Sequence, residues 1–263
     1  MQSQTRTRKK EPYESEGNTI LITGGGSGIG RGLAEAFHKL GNHVVITGRR
    51  RDVLDRTAAA NPGMAAMVMD VSKAESIRAV AEEAIAKFPP LNIVVNNAGV
   101  QRVHDFAAGS LDENAMREEI DTNVYGVIRV SAAFLPHLKT RPRATIVNVS
   151  SGLAFLPLAR YPVYCATKAF VHSFSMSMRH QLRHTNVRVV ELAPPWVATD
   201  LDANHASPTE HDGMKPMPFT DFIAAAVEEL SSDRDELPVA GAKFLYSAGL
   251  GEKSGVIFAQ MNR

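Results

Sequence analysis

Tyr164 and Lys168 stand four residues apart in the stretch Tyr164-Cys165-Ala166-Thr167-Lys168. On a helix that spacing puts the phenol and the ammonium on one face. A nearby cation favours the phenolate, so the tyrosine pKa falls toward the working pH. Such a tyrosine can pass a proton to or from an alcohol oxygen while a hydride moves at the carbon. A bare Tyr-x-x-x-Lys pair arises often by chance. Its weight here comes from Ser151, thirteen residues upstream at the end of an apolar run, and from a glycine-rich turn near the N-terminus.

That turn reads Thr23-Gly24-Gly25-Gly26-Ser27-Gly28-Ile29-Gly30. Glycine permits φ > 0 and lets the backbone come close to a pyrophosphate seated at a helix N-terminus among free N–H groups. Gly24, Gly26, Ser27, Gly28, Ile29 and Gly30 are therefore candidate contacts to a dinucleotide. A second strand ends at Gly48, twenty residues beyond Gly28, where a carboxylate would bind a ribose 2′-hydroxyl. The chain instead continues Arg49-Arg50-Arg51. With no acid to repel a 2′-phosphate and guanidinium groups to bind one, Arg49 and Arg50 point to NADP(H) over NAD(H).

These residues need strands and helices to position them. Continuous apolar runs at 19–23, 43–47, 65–69, 91–96, 144–149 and 187–192 predict buried strands, and 236–240 a possible seventh. Helical spacing predicts helices from Ile29 to Leu40, over 51–60, from a Ser72/Glu75 capping box to Phe88, over 112–138, 163–182 and 222–230. The last twenty residues read as partly helical. Strand–helix alternation without alternating polarity in the strands predicts one doubly wound α/β domain over 18–263, with a mostly parallel seven-stranded sheet. Residues 1–17 are low in apolar content and are expected to be a disordered tail or a leftover of expression. Residues 196–220, with three prolines and many polar side chains, are expected to form a mobile lid over the C-terminal edge of the sheet.

Hydrophobic residues are 44% and charged residues 22% of the chain, the balance of a soluble globular protein. A net charge of +1 offers no global attraction to nucleic acid or an anionic membrane. No apolar run reaches a membrane span, and the polar N-terminus lacks the apolar stretch of a leader peptide. The lone Cys165 allows no internal disulfide and fits a reducing cytoplasm.

Taken together, Thr23 to Gly30, Asp70-Val71, Asn96-Asn97-Ala98-Gly99, Asn123, Ser151, Tyr164, Lys168 and Pro194 to Thr199 resemble the short-chain dehydrogenase/reductase family over about 19–240. Within it the chain is similar to the DltE-like oxidoreductases, a label with no settled substrate. The resemblance implies a Rossmann-type domain and a set of roles. Tyr164 is the general acid in reduction and the base in oxidation, and Ser151 hydrogen-bonds the substrate carbonyl. Lys168 lowers the tyrosine pKa and holds the nicotinamide ribose, while Asn123 supports a water linking Lys168 to solvent. Asp70 and Val71 contact adenine, and Asn97, Ala98 and Gly99 shape the cofactor floor. Val197 and Thr199 hold the carboxamide. A homodimer or homotetramer is also implied. One departure is Pro194-Pro195, where the family has Pro-Gly; the lost N–H and fixed φ put the Val197 and Thr199 contacts in question.

Leu153, Phe155, Tyr161 and Trp196 flank these positions and are candidates for an apolar substrate pocket. His180 and His184 share a helix face but have no third ligand, so they read as surface residues rather than a metal site. Cys165 points away from Tyr164 on a helix and has no base, so it does not read as a nucleophile. The leading expectation is an NADP(H)-dependent oxidoreductase acting on a small carbonyl or alcohol. A nucleotide-sensing protein without turnover, and an epimerase or dehydratase on the same fold, are the rival readings.

Overall fold

Seven apolar segments form the strands of one sheet, and the turns between them carry the chemistry. The computed structural model describes residues 16–109, 111–199, 201, 215–249, 251 and 253–261. The strands are β1 (Thr19–Thr23), β2 (His43–Gly48), β3 (Ala65–Val68), β4 (Leu91–Asn96), β5 (Ala144–Val149), β6 (Val187–Ala193) and β7 (Glu236–Pro238). Their order in the sheet is β3-β2-β1-β4-β5-β6-β7, and every neighbouring pair is parallel. The chain works outward from β1 to β3, then returns to place β4 on the other side of β1. That reversal opens a crevice at the C-terminal ends of β1 and β4, where doubly wound sheets bind their ligands.

Alternate strand residues face opposite layers. Ile20, Ile22, Val44, Ile46, Ile93 and Val95 pack with Leu33 and Phe37 of helix α1 (Gly28–Lys39) and with Phe222 and Leu230 of the later helix over Phe219–Leu230. Leu21, Val45, Val94, Ile146 and Val189 pack on the other side with Ile77, Val130, Phe134 and Met178. Those side chains belong to α3 (Ala74–Lys87), α5 (Gly126–Leu138) and α6 (Pro162–Gln181), which follow α2 (Arg51–Ala60) and α4 (Glu113–Ile120) in the chain. The Phe219–Leu230 helix is thus α7, and α8 (Ala242–Gly249) and α9 (Ser254–Met261) follow β7. Both faces of the sheet are covered, which is why apolar residues fill both sets of alternating positions in most of its strands.

Three sequence expectations need correction. The helix expected over 112–138 is two helices, α4 and α5, joined by a π-helical turn at Asp121–Tyr125. Such turns carry one extra residue and often mark functional positions; Asn123 sits in this one. The Ser72/Glu75 capping box does not form. Lys73 caps α3 without a side-chain bond, and Ser72 Oγ instead donates to Asp70 Oδ1 at 2.7 Å. The last strand is shorter than expected and stops at Pro238. The 196–220 lid expectation falls largely on residues outside those described. Its root is ordered by pairing: Met217 N donates to Trp196 O at 2.8 Å and Ala198 N to Met217 O at 3.1 Å.

Candidate active site

Tyr164 lies on the first turns of α6, which starts with Pro162 at a position where a missing N–H costs nothing. Tyr164 and Lys168 are both buried, and Lys168 Nζ stands 5.6 Å from the centroid of the Tyr164 ring. The expected shared face is therefore present. Nζ also donates to Val149 O at 2.9 Å, which ties the ammonium to the end of β5. Burial lowers the Lys168 pKa to about 8, against the opposing pull of the Glu119 and Glu191 carboxylates.

Asn123 is brought to the same place by the π turn. Its Oδ1 accepts from Val100 N at 2.9 Å, and its Nδ2 donates to Val100 O at 2.8 Å and to Thr167 Oγ1 at 3.1 Å. Gly99 faces both groups: a Cβ there would lie 3.4 Å from Asn123 Oδ1 and 3.6 Å from Lys168 Nζ. Ser151 begins a short 3₁₀ turn after β5 and accepts from Leu153 N at 3.1 Å. Gly152 N donates to Pro194 O at 2.8 Å, so the first of the two prolines anchors the serine turn to the end of β6.

The glycine turn has the form that a pyrophosphate needs. Gly24 and Gly28 adopt φ of +67° and +51°, a region that disfavours other residues. A Cβ on Gly30 would lie 2.3 Å from Asn97 Nδ2 and 2.4 Å from Gly24 O. Asn97 Nδ2 in turn donates to Thr23 O at 2.9 Å, and Asn97 N and Ala98 N both donate to Thr23 Oγ1 at 3.0 Å. The β1 and β4 ends are thereby stitched into one floor. The Ser27 side chain caps no amide of α1, leaving the first-turn N–H groups of Gly28, Ile29 and Gly30 to an anion. Gly26 packs against Val53 and Leu54 of α2. These features fit a bound dinucleotide.

Other candidates are dispersed around that floor. Asp70 Oδ1 accepts from Ser72 N at 3.0 Å, which closes a turn around the buried Val71. Thr199 approaches Gly28, whose Cβ would be 3.8 Å from Thr199 Cβ, and Val197 is buried at the lid root. Arg49 pairs with Glu118 at 3.0 Å, and Arg50 donates to Ser27 Oγ at 3.2 Å. Leu153 packs on the cluster of Tyr161, Tyr164 and Cys165. Trp196 is half-buried beside Val197. Phe155 is not part of that cluster; its ring meets His172 and Tyr246 edge-on at 4.9 and 4.8 Å. These contacts seat the Phe155 ring between α6 and α8.

Sequence reasoning missed two buried carboxylates. Glu119, one turn before Asn123, accepts from Arg102 N at 3.1 Å and meets His104 Nε2 at 2.9 Å. Burial pushes its carboxyl up, against those hydrogen bonds. Glu191 on β6 accepts from Ser150 Oγ at 2.5 Å and from His172 Nδ1 at 2.7 Å. An acid inside a mostly apolar strand was the available signal for Glu191, and adjacent acids on an amphipathic helix the signal for Glu119. Burial also pushes the Cys165 thiol up to about 11, so it is protonated and unreactive at neutral pH. Among the described residues, no three His, Cys, Asp or Glu side chains approach as metal ligands, and no helix is long and apolar enough to cross a membrane.

A phenol, an ammonium, a serine turn and a glycine cradle thus gather at one edge of the sheet. The short chain dehydrogenase model matches residues 18–210, and the chain belongs to that family. It is similar to the uncharacterized oxidoreductase DltE of Bacillus subtilis, with 48% identity over 185 residues covering 70% of this chain and 73% of that protein. It also matches the structure of a Burkholderia cenocepacia short chain dehydrogenase in complex with NADP: TM-score 0.80, 25% identity, 95% of this chain and 99% of that one. A Burkholderia phymatum short chain dehydrogenase/reductase in complex with NAD gives a TM-score of 0.76 at 26% identity, covering 86% and 89%.

Proposed function

We propose that this protein is an NADP(H)-dependent oxidoreductase that interconverts a small carbonyl compound and its alcohol, with Tyr164 as general acid and base. The observation that carries the reading is the placement of Tyr164, Lys168, Ser151 and Asn123 on elements that meet beside the glycine cradle. The preference for NADP(H) rests on Gly48 and Arg49 at the end of β2, since the two solved relatives divide between the coenzymes.

Gly24 to Gly30 would hold the coenzyme's pyrophosphate, Arg49 and Arg50 its 2′-phosphate and Asp70 and Val71 its adenine, with Asn97 to Gly99 as the floor. Val197 and Thr199 would hold its nicotinamide end. When bound, the coenzyme supplies or accepts the hydride. The protein does the rest. Ser151 Oγ donates to the carbonyl oxygen and orients it. Tyr164 Oη gives that oxygen a proton in reduction and takes it back in oxidation. Lys168, charged below about pH 8, favours the phenolate that remains. Asn123 keeps the Lys168 surroundings connected to the Val100 backbone. Leu153, Tyr161 and Trp196 give the pocket its apolar wall.

The chain is also proposed to form a homodimer or homotetramer through α5 and α6. Tyr125, at the end of the π turn that leads into α5, and Met176 on α6 expose large apolar side chains. Light scattering at micromolar concentration tests this; a monomer alone would refute it.

A carbonyl panel monitored by NADPH absorbance tests the activity. Net NADPH consumption is expected. Product formation without net loss would mean epimerase or dehydratase chemistry, and tight coenzyme binding with no turnover on any compound would mean a nucleotide sensor.

A further inference from the structure

Arg49 is not idle. Its Nη1 donates to Glu118 Oε1 at 3.0 Å, and the other carboxylate oxygen of Glu118 pairs with Arg102 Nη2 at 3.1 Å. Arg49 follows β2, whereas Glu118 is on α4, beyond β4. In the sheet β1 lies between those strands. The Arg49–Glu118 pair therefore spans the C-terminal edge above β1, beside the position where such a fold reads the adenosine ribose. Both partners are open to solvent, with side-chain exposures of 54% and 33%. A ligand can reach them without unfolding anything.

We propose that Glu118 is a specificity-determining residue for the coenzyme: it holds Arg49 across the groove and competes with the ligand's 2′-phosphate for that guanidinium. The inference rests on the NADP(H) reading above. A phosphate monoester carries close to two charges and three acceptor oxygens, so it takes a guanidinium from a single carboxylate. Glu118 keeps Arg102 after the exchange and is not left as a bare charge. The Arg49 hydrogen bond holds the Glu118 carboxyl below its ordinary range, so it is ionised at neutral pH and competes there. A ligand with only a 2′-hydroxyl has little to gain by displacing Glu118. The carboxylate thus sets how strongly a 2′-phosphate must bind to be held, and its removal strengthens binding of 2′-phosphorylated ligands alone.

The test is calorimetric titration with adenosine 2′,5′-bisphosphate and with adenosine 5′-monophosphate, at fixed low ionic strength. Neither probe needs a substrate or a nicotinamide. Glu118→Gln is compared with wild type and with Glu113→Gln, which removes the same charge from an exposed position at the start of α4. Thermal melts confirm that each variant is folded. Glu118→Gln is expected to bind the bisphosphate roughly two- to fivefold more tightly, the range of an exposed ion pair, with the monophosphate unchanged and Glu113→Gln like wild type. In an Arg49→Ala background the gain should vanish. If wild type prefers the bisphosphate and Arg49→Ala abolishes that preference, but Glu118→Gln binds it no better or binds it less well, the competition is refuted while the NADP(H) reading stands. If wild type does not distinguish the two probes, the NADP(H) reading fails and takes the inference with it.

Discussion

Nζ of Lys168 lies 5.6 Å from the centroid of the Tyr164 ring and is held there by a 2.9 Å hydrogen bond to the carbonyl of Val149. A buried ammonium is expensive, and this one sits where its charge can act on a phenol. Its folded pKa, about 8, lies below the unfolded value, so the unfolded chain binds the extra proton between them. The residue therefore opposes folding below about pH 8, and that cost fades as the pH rises above it. Lys168→Met is expected to stabilise the protein by about 1–3 kcal/mol at pH 7, with the advantage shrinking by pH 9.5, while coenzyme binding weakens. Urea melts at the two pH values, paired with NADPH titrations, check this; a variant destabilised at pH 7 would contradict it.

Gly30 makes the tightest approach in the cradle. An alanine there would drive its Cβ into Asn97 Nδ2 and Gly24 O, at 2.3 and 2.4 Å. Gly30→Ala is expected to cost about 2–4 kcal/mol and to abolish coenzyme binding, because the floor and the turn cannot both keep their places. Denaturant melts and NADPH titration read the two effects. Wild-type stability would show that the turn is looser than described.

His172 and Glu191 make a stabilising pair at the back of the site. The Glu191 hydrogen bond raises the His172 pKa, with burial opposing it. A raised folded value gives stability that is full below the unfolded pKa, about 6.5, and lost as the pH climbs through the folded value. His172→Gln should cost on the order of 1–3 kcal/mol at pH 5.5 and less at pH 9. Equal costs at both values would mean that His172 is uncharged in the fold.

Much of this arrangement was legible in the sequence because local signals agreed with the global fold. The apolar runs marked six strands closely, and glycine spacing marked the turn after β1. Tyr164 and Lys168 met as their helical spacing required. What escaped was what depends on distant partners. Nothing in Asp121-Thr122-Asn123-Val124-Tyr125 announces a π turn, since the extra residue is accommodated by Asn123 bonding to Val100 across the site. Ser72 has no capping role because α3 starts one residue later than its pattern implies, with Lys73 at the cap, and its hydroxyl donates to Asp70. The ring contacts of Phe155 with His172 and Tyr246 join residues 17 and 91 positions away, which no local pattern announces. The Arg49–Glu118 pair joins residues 69 apart in the chain, beyond any local pattern.

Coenzyme choice can be reversed if the end of β2 sets it. Gly48→Asp with Arg49→Ala adds a carboxylate and removes a phosphate partner. Wild type is expected to bind NADPH at least tenfold more tightly than NADH, about 1.4 kcal/mol, and the double variant to prefer NADH. Fluorescence titration with each coenzyme measures both. Tighter NADH binding by wild type would overturn the assignment.

The most direct test of the account removes one oxygen atom. Tyr164→Phe keeps the ring and its packing but deletes the hydroxyl that carries the proton. With any carbonyl compound that wild type reduces, kcat for the variant should fall by about 10²–10⁴-fold, while its NADPH dissociation constant and melting temperature stay near wild type. A variant that kept most of its turnover would contradict the assignment of Tyr164 as the acid.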